Sequence, residues 1–257
     1  MTEKDSRVAL VTGAGQRIGR AIALDLAGHG WSVAVHHHDS AEAARSVVEE
    51  IRTLGQRATA IEADLADGHR ASTLIGEAAG ALGPLTLLVN NASVFEDDRV
   101  DTATRASWDA HMAVNLSAAF WLIQSFAKGL PARTPGNTIN MIDQRVWNPT
   151  PYFVSYTVSK AGLWTLTQTL ALALAPRNRV NPIGPGPTHA SRQQTEAEFK
   201  AQCEAMPLGR GTTPQEICEA VRFILAQPAM TGQMIALDGG QHLCWAVPKR
   251  NSDQQEW

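Results

Sequence analysis

The chain has 257 residues, enough for one large α/β domain, and its 44% hydrophobic and 18% charged content is typical of a soluble globular protein. A net charge of -3 gives no overall positive field for nucleic acid, no apolar run is long enough to span a membrane, and the charged start is unlike a signal peptide. The cysteines Cys203, Cys218 and Cys244 lack paired spacing, so we predict neither disulfides nor a zinc site. We expect a cytoplasmic protein without nucleic-acid, membrane or metal partners.

Short β-rich runs alternate along the chain with amphipathic helical segments. This alternation predicts a parallel sheet with helices on both faces. We therefore expect a single doubly wound α/β domain of Rossmann type over residues 1–247, followed by a polar tail over 248–257. The predicted strands cover 7–12, 32–36, 58–63, 85–90, 137–142, 179–183 and 233–237, and the predicted helices include 17–29, 40–54, 67–82, 108–126 and 156–175.

The first predicted strand ends in T-G-A-G-Q-R-I-G, residues 12–19, and runs directly into a helix. Glycines at such a turn let the backbone approach a pyrophosphate, whose charge meets free amide hydrogens and the positive end of the helix dipole. The alternative is a tight turn without a ligand. The place of this glycine-rich turn, after the first strand of an alternating pattern, favours a dinucleotide-phosphate site.

Three further polar features follow along the chain. Asp64 follows the third strand, where it either accepts hydrogen bonds from an adenine or, like Asp67, caps the next helix. The fourth strand ends in N-N-A-S, residues 90–93, which either lines a cofactor or makes a turn. Asn115 interrupts an apolar helical pattern, and because an unpaired buried amide is costly, it must have partners. Those partners are either a catalytic water or a structural hydrogen bond.

Tyr156 and Lys160 are spaced Y-x-x-x-K, so in a helix their side chains share one face. A nearby ammonium favours the phenolate, so we expect Lys160 to lower the pKa of Tyr156 and make it a usable acid near neutral pH. Asp143 ends the apolar run T-I-N-M-I-D, at a strand end where open α/β sheets hold their chemistry. It would supply a second titratable group, or else make a local backbone cap.

Together, T-G-x-x-x-x-I-G, N-N-A-S, Asn115, Y-x-x-x-K and V-N-P-I-G-P-G-P-T resemble the short-chain dehydrogenase/reductase family from about Arg7 to Gly240. The resemblance implies hydride transfer from a nicotinamide cofactor, Tyr156 as proton donor, Lys160 on the ribose, Asn115 in a proton relay, and a homotetramer. The cofactor contacts it implies are Gly13, Arg17, Ile18, Gly19, His37, His38, Ser40, Asp64, Leu65, Asn91, Ala92, Ser93, Tyr156, Lys160, Pro185, Gly186 and Thr188.

Two departures from the common family pattern resemble its pteridine reductase branch. Arg17 replaces the central glycine of the turn, and Asp143 replaces the usual serine before the tyrosine. In that branch Phe95 would stack on the pterin, while Ser93 and Arg17 would hold ring polar groups or phosphate. The alternatives are a solvated side chain for Arg17 and ordinary loop packing for Phe95.

The chemistry of Asp143 favours the same branch. An ionised Asp143 would repel the negative charge that develops on a carbonyl oxygen, whereas a carboxyl with a raised pKa can deliver a proton to a ring nitrogen. We therefore expect an NADPH-dependent reductase of a C=N bond in a dihydropterin or dihydrofolate-like substrate. The alternatives are a carbonyl or alcohol oxidoreductase of the same family and a non-catalytic nucleotide-binding regulator. The expected substrate contacts are Arg17, Ser93, Phe95, Asp143 and Tyr156.

The run H-H-H-D-S after the second strand bears on the choice of cofactor. The position that is acidic in NAD enzymes falls near His37, which leaves no carboxylate for both ribose hydroxyls and favours NADP(H). A 2'-phosphate would be surrounded by His36, His38 and Ser40. Asp39 would weaken this phosphate site. Neighbouring strand residues point to opposite faces, so the three histidines are not expected to bind a metal.

Residues 189–212 have the pattern of a polar helical segment, which we expect to act as a lid over the substrate site. Near the C-terminus, D-G-G-Q-H-L-C-W is expected to reach the substrate pocket of a neighbouring subunit.

Overall fold

The computed structural model describes residues 7–191 and 194–244. The proposed tail over 248–257 and Trp245 therefore lie outside the described residues. The strands are β1 (Val8–Val11), β2 (Ser32–His37), β3 (Ala58–Glu62), β4 (Leu87–Asn90), β5 (Gly136–Met141), β6 (Asn178–Pro185) and β7 (Ile235–Leu237).

All strands form one seven-stranded sheet in the order β3-β2-β1-β4-β5-β6-β7, and every neighbouring pair is parallel. This confirms the predicted doubly wound Rossmann-type α/β fold. The strand order reverses where β1 pairs with both β2 and β4, and ligands of such sheets bind outside the carboxyl ends of the strands at that point. The glycine-rich turn after β1 lies there.

Helices cover both faces because side chains alternate along each strand. The helices are α1 (Arg17–Gly28), α2 (Ala41–Thr53), α3 (Gly68–Leu82), α4 (Arg105–His111), α5 (Ala118–Gly129), α6 (Val154–Leu174), α7 (Glu196–Glu204) and α8 (Pro214–Ala226). From β1, Ala9 and Val11 pack into one apolar cluster with α1, α2 and α8, while Val8 and Leu10 pack into another with α3 and α5.

The segment predicted as one helix over 108–126 is helical but not uniform. A π-helical turn, Met112–Ser117, lies between α4 and α5 and contains Asn115. Such turns are rare and often lie at functional sites. The hydrophobic pattern predicts the helix but does not reveal the wider turn.

Within the predicted lid, the described part contains the polar helix α7, none of whose residues is buried. Residues 192–193 of the same segment lie outside the described residues, and its role as a lid stays a prediction. In the described ranges, no helix has the length and apolar character needed to cross a membrane. The described residues also hold no group of three or more potential metal-binding side chains.

Candidate active site

Asp143, Tyr156 and Lys160 come together at the carboxyl end of β5. The Tyr156 hydroxyl donates to Asp143 Oδ2 at 3.0 Å, and Lys160 Nζ donates to the carbonyl oxygen of Met141 at 2.8 Å. The Lys160 ammonium lies 5.7 Å from the centroid of the Tyr156 ring. Tyr156 and Lys160 are buried on one face of α6, as their spacing predicted.

Burial is the largest cause of the pKa shifts of these three groups. It raises the pKa of the Asp143 carboxyl, despite opposing contributions from Arg145, Tyr156 and Lys160, which matches the raised pKa that we expected. It also lowers the pKa of Lys160 to about 8.

The expectation that Lys160 lowers the pKa of Tyr156 was wrong for this geometry. Burial, followed by the charge and hydrogen bond of Asp143, raises the pKa of Tyr156 well above its ordinary value. The physical reason is that the phenol donates to a carboxylate, which stabilises the protonated phenol, while the lysine ammonium is held by Met141. Tyr156 and Asp143 therefore form a proton-sharing pair, with the carboxyl as the more readily ionised member.

The side chain of Asn115 is satisfied by the protein itself. Its Oδ1 accepts from the Ser93 hydroxyl at 3.1 Å and from Val94 N at 2.8 Å. Its Nδ2 donates to Val94 O and to Ser159 Oγ, each at 3.0 Å. Of the two alternatives for Asn115, the side chain therefore makes structural hydrogen bonds. These bonds connect the loop after β4 to α6. A role in a proton relay stays a prediction.

Phe95 belongs to an aromatic cluster beside the pair. Its ring stacks on Phe153 with centroids 4.6 Å apart and meets the Tyr156 ring edge-on at 4.7 Å. The Arg145 guanidinium carbon lies 4.7 Å from the Phe153 centroid. Phe95 is still 42% exposed, so it keeps surface for a flat ligand. Sequence reasoning missed Phe153 and Arg145, although both lie between Asp143 and Tyr156.

Asp98 is a second residue that sequence reasoning missed. Helix α6 has Phe153 at its N-cap, a side chain that cannot accept a hydrogen bond, with a left-handed φ of 56°. Asp98 caps the helix instead, because its carbonyl oxygen accepts from Val154 N at 3.1 Å and its Oδ1 from Ser155 N at 2.9 Å. Ser107 Oγ donates to its Oδ2 at 3.0 Å.

The glycine-rich turn fits a dinucleotide phosphate. Gly13 has a left-handed φ of 62°, and a Cβ on Gly19 would collide with the Gly13 carbonyl oxygen and with Asn91. In the described part of the chain, the N-cap residue Gln16 makes no side-chain capping bond. The first amides of α1, including those of Arg17 and Ile18, thus face the turn without intrahelical acceptors and suit an anion.

Arg17 occupies the turn in a left-handed conformation, with φ of 53°. Its guanidinium donates to the His189 carbonyl oxygen at 3.4 Å, which joins the turn to the loop after β6. At that loop the backbone N–H of Gly186 donates to Leu237 O, and Thr188 Oγ1 donates to Gly186 O. Pro185 ends β6, so these residues lie at the same edge of the sheet as Asp143.

The histidines divide between structure and surface. His36 is buried, with Nδ1 3.0 Å from Gly13 N and Nε2 3.0 Å from Ala63 O, and burial lowers its pKa to about 4. Both ring nitrogens are occupied, so the predicted contact of His36 with a 2'-phosphate was wrong. His38 is exposed. His37 is buried, with its Nδ1 3.2 Å from the His38 carbonyl oxygen.

Ser40 lies close to the glycine-rich turn, since its Oγ would be 3.1 Å from a Cβ on Gly15. It precedes α2, yet within the described residues its side chain makes no capping bond, which leaves the hydroxyl available to a ligand.

The residues after β3 take mainly structural partners. Asp67 is the cap of α3, accepting from His69 N at 2.8 Å, while Asp64 is exposed and its Oδ1 accepts from Ala66 N at 2.8 Å. The side chain of Leu65 is in the core.

The N-N-A-S segment after β4 contacts the end of β1. The side-chain Nδ2 of Asn91 donates to Thr12 O at 2.8 Å, and the backbone N–H of Ala92 donates to Thr12 Oγ1 at 2.9 Å. Ser93 is exposed at the site. Asn91 and Ala92 therefore brace the glycine-rich turn.

The described end of the chain packs on the loop between Asp143 and α6 of the same chain. Asn148 Nδ2 donates to the Cys244 carbonyl oxygen at 2.7 Å, and the Trp147 ring meets His242 edge-on at 5.3 Å. Asp238 Oδ2 lies 2.7 Å from His242 Nδ1. These contacts lie within one chain, and a contact with a neighbouring subunit stays a prediction.

A family model described as short chain dehydrogenase matches residues 7–201. The chain belongs to the short-chain dehydrogenase family. This family membership makes the protein an oxidoreductase, and it confirms the broader part of the resemblance seen in the sequence motifs.

Relatives within the family differ in what they act on. The 3-oxoacyl-[acyl-carrier-protein] reductase FabG of Staphylococcus aureus is 34% identical over 250 residues, covering 93% of this chain and 100% of that protein. An L-rhamnose 1-dehydrogenase (NAD(P)(+)) of a Sphingomonas species is 32% identical over 254 residues, covering 93% and 97%.

Solved structures include FolM Alternative dihydrofolate reductase 1 from Brucella canis, complexed with NADP. It is 45% identical with a TM-score of 0.91, covering 95% of this chain and 97% of that one. A short chain dehydrogenase from Burkholderia cenocepacia, also in complex with NADP, is 33% identical with a TM-score of 0.86, covering 92% and 98%. Both complexes agree with the cofactor predicted from the sequence.

Proposed function

We propose that the protein is an NADPH-dependent reductase of a C=N bond in a dihydropterin or dihydrofolate-like substrate. The observation that carries the proposal is the hydrogen bond from the Tyr156 hydroxyl to Asp143 Oδ2, at 3.0 Å in a partly buried site. A carboxyl in this place with a raised pKa suits protonation of a ring nitrogen and opposes a developing alkoxide. The likeness to the Brucella FolM structure supports the same substrate class.

NADP(H) is the proposed cofactor, and when bound it supplies the hydride. The uncapped amides at the start of α1 suit its pyrophosphate, and the absence of a carboxylate at His37 favours the phosphorylated form. Ser40, with its hydroxyl beside the turn, is the proposed partner of the 2'-phosphate.

The residues of this chain manage the proton. The protonated Asp143 carboxyl delivers it to the ring nitrogen, and the carboxylate left behind accepts hydrogen bonds from the Tyr156 hydroxyl and from Arg145 N at 2.8 Å. These donors stabilise the charge that appears on Asp143 as the proton leaves. The exposed surface of Phe95 offers a stacking surface for the flat substrate.

A second candidate is a carbonyl or alcohol oxidoreductase, supported by the FabG and L-rhamnose dehydrogenase relatives. In that case Tyr156 would protonate the carbonyl oxygen and Asp143 would be merely tolerated. The two candidates make opposite demands on Asp143, so substrate assays separate them.

The test is a steady-state panel with NADPH and NADH. Dihydrofolate, dihydrobiopterin and dihydromonapterin are compared with simple ketones and a 3-oxoacyl thioester. We expect turnover of the pteridines with NADPH and its loss in Tyr156→Phe. A higher kcat/KM for the ketones or the thioester would overturn the proposal in favour of the second candidate, and an absence of turnover with every substrate would favour a non-catalytic regulator.

A further inference from the structure

The reaction proposed above gives the charged side chain of Arg145 no contact with the substrate. The residue lies in a short 3-10 turn, Gln144–Val146, directly after Asp143, and its backbone orients that carboxyl. Its guanidinium carbon is 4.7 Å from the Phe153 centroid and 5.9 Å from the Phe95 centroid. A positive charge therefore lies beside the aromatic pair, within the same cluster as Tyr156.

The hydrogen-bonding capacity of this guanidinium is largely unfilled. Over residues 7–191 and 194–244, Arg145 forms no ion pair, and its side-chain hydrogen bond is to Thr150 Oγ1 at 3.5 Å, the outer limit of such bonds. The nearby Arg99, by contrast, packs over the Tyr152 ring and pairs with Asp97 at 3.6 Å. A partly buried guanidinium flanked by aromatic rings is suited to a planar anion, which it binds through two parallel hydrogen bonds.

The position of the charge indicates which part of a substrate it would meet. Asp143 and Tyr156 address the ring atoms that receive the proton. Arg145 is closer to Phe153 than to Phe95, so it lies to one side of a ring stacked on Phe95. From there the guanidinium would meet a substituent of such a ring.

We propose that Arg145 is a specificity-determining residue that binds a carboxylate carried on the substituent of the pteridine ring. The site then favours acidic, folate-type substrates over pterins with uncharged substituents. This inference rests on the proposed function and narrows its substrate class.

The test compares dihydrofolate, which carries carboxylates, with dihydrobiopterin, which carries none. Arg145→Gln should raise the KM for dihydrofolate about tenfold, the effect of losing one charge-assisted hydrogen bond, and change the KM for dihydrobiopterin less than about twofold. Because the Arg145 charge also acts on Asp143, kcat should change by the same factor for both substrates. Arg145→Lys should recover part of the loss, because an ammonium keeps the charge without the planar fork. Arg99→Gln is the matched control and should leave the KM for both substrates unchanged. Equal increases in the KM for both substrates in Arg145→Gln would overturn the inference.

Binding measurements separate this inference from the proposed function. Dihydrofolate is titrated into the NADP+-loaded wild-type and Arg145→Gln chains, followed by tryptophan fluorescence. If the wild type binds dihydrofolate without reducing any pteridine, the proposed reaction fails, and about tenfold weaker binding by the variant still supports Arg145 as the carboxylate site. Equal affinities, or no binding by the wild type, overturn the inference.

Discussion

At the scale of single residues, the proposed pteridine reduction depends on Asp143. Asp143→Ser should lower kcat for dihydropterin reduction about a hundredfold or more, the size of a lost general acid, while NADPH affinity stays within about twofold. Asp143→Asn should lower kcat as much, because the amide accepts the Tyr156 hydrogen bond but has no acidic proton to deliver. Single-turnover kinetics with NADPH titrations measure both quantities, and unchanged turnover in Asp143→Ser would refute the proton role.

The raised pKa of Asp143 also predicts a pH profile. The acid form of the carboxyl delivers the proton, so the rate of the chemical step should fall as pH rises through this raised pKa. A rate that increases with pH over the same range would contradict this assignment. The Asp143→Asn variant should not show the decline.

Lys160 connects catalysis with stability. Its folded pKa is about 8 because burial disfavours the ammonium, whereas its ordinary value is 10.5. Between these values the unfolded chain binds the extra proton, so wild-type stability should rise with pH relative to a variant without this group. Lys160→Met should be inactive, and between pH about 8 and 9.5 the wild type should gain about 1.5 kcal/mol of unfolding free energy relative to it. Urea unfolding at several pH values measures the gain, and a constant difference would contradict the prediction.

At the scale of elements, the start of α6 depends on a cap supplied from a distant loop. Burial alone would raise the pKa of Asp98, but hydrogen bonds from Ser155 and Ser107 more than offset it, and the pKa is lowered. The carboxylate is therefore stabilised as the acceptor for the first turn of the helix that carries Tyr156.

Asp98→Ala should lower the unfolding free energy by about 1 to 2 kcal/mol, as for other lost helix caps, and should reduce kcat by displacing Tyr156. Asp98→Asn keeps one acceptor oxygen and should retain most of the unfolding free energy and most of kcat. The matched control is Asp97→Ala at a partly exposed ion pair with Arg99, which should change stability by less than about 0.5 kcal/mol. Chemical denaturation and steady-state rates measure the effects, and an Asp98→Ala chain as stable as wild type would show that the cap is dispensable.

At the scale of the whole molecule, α5 and α6 present apolar side chains on their outer faces. Leu172 is 84% exposed in the single chain, and Val158 and Trp121 are also exposed. Exposed apolar surface of this kind is typical of an interface between protein chains, and the assembly of four chains stays a prediction.

The wild type should therefore have the mass of four chains in light scattering coupled to size exclusion. A Trp121→Glu and Leu172→Glu double variant should dissociate into smaller species, because buried charges are costly in an interface. Leu54→Glu, at an exposed position after α2, is the control and should leave the mass unchanged. A monomeric wild type would refute the prediction.

The sequence by itself determined the doubly wound sheet and the family, because the alternation of apolar runs and the spacing of Tyr156 and Lys160 are local patterns. Tertiary structure decided the electrostatics, since the pKa of Tyr156 depends on its burial and on which group accepts its proton. It also decided that Asp98 caps α6 across 57 positions and that Phe153 covers part of Phe95. Contacts between residues far apart in the chain leave no local periodicity, so only the folded packing reveals them.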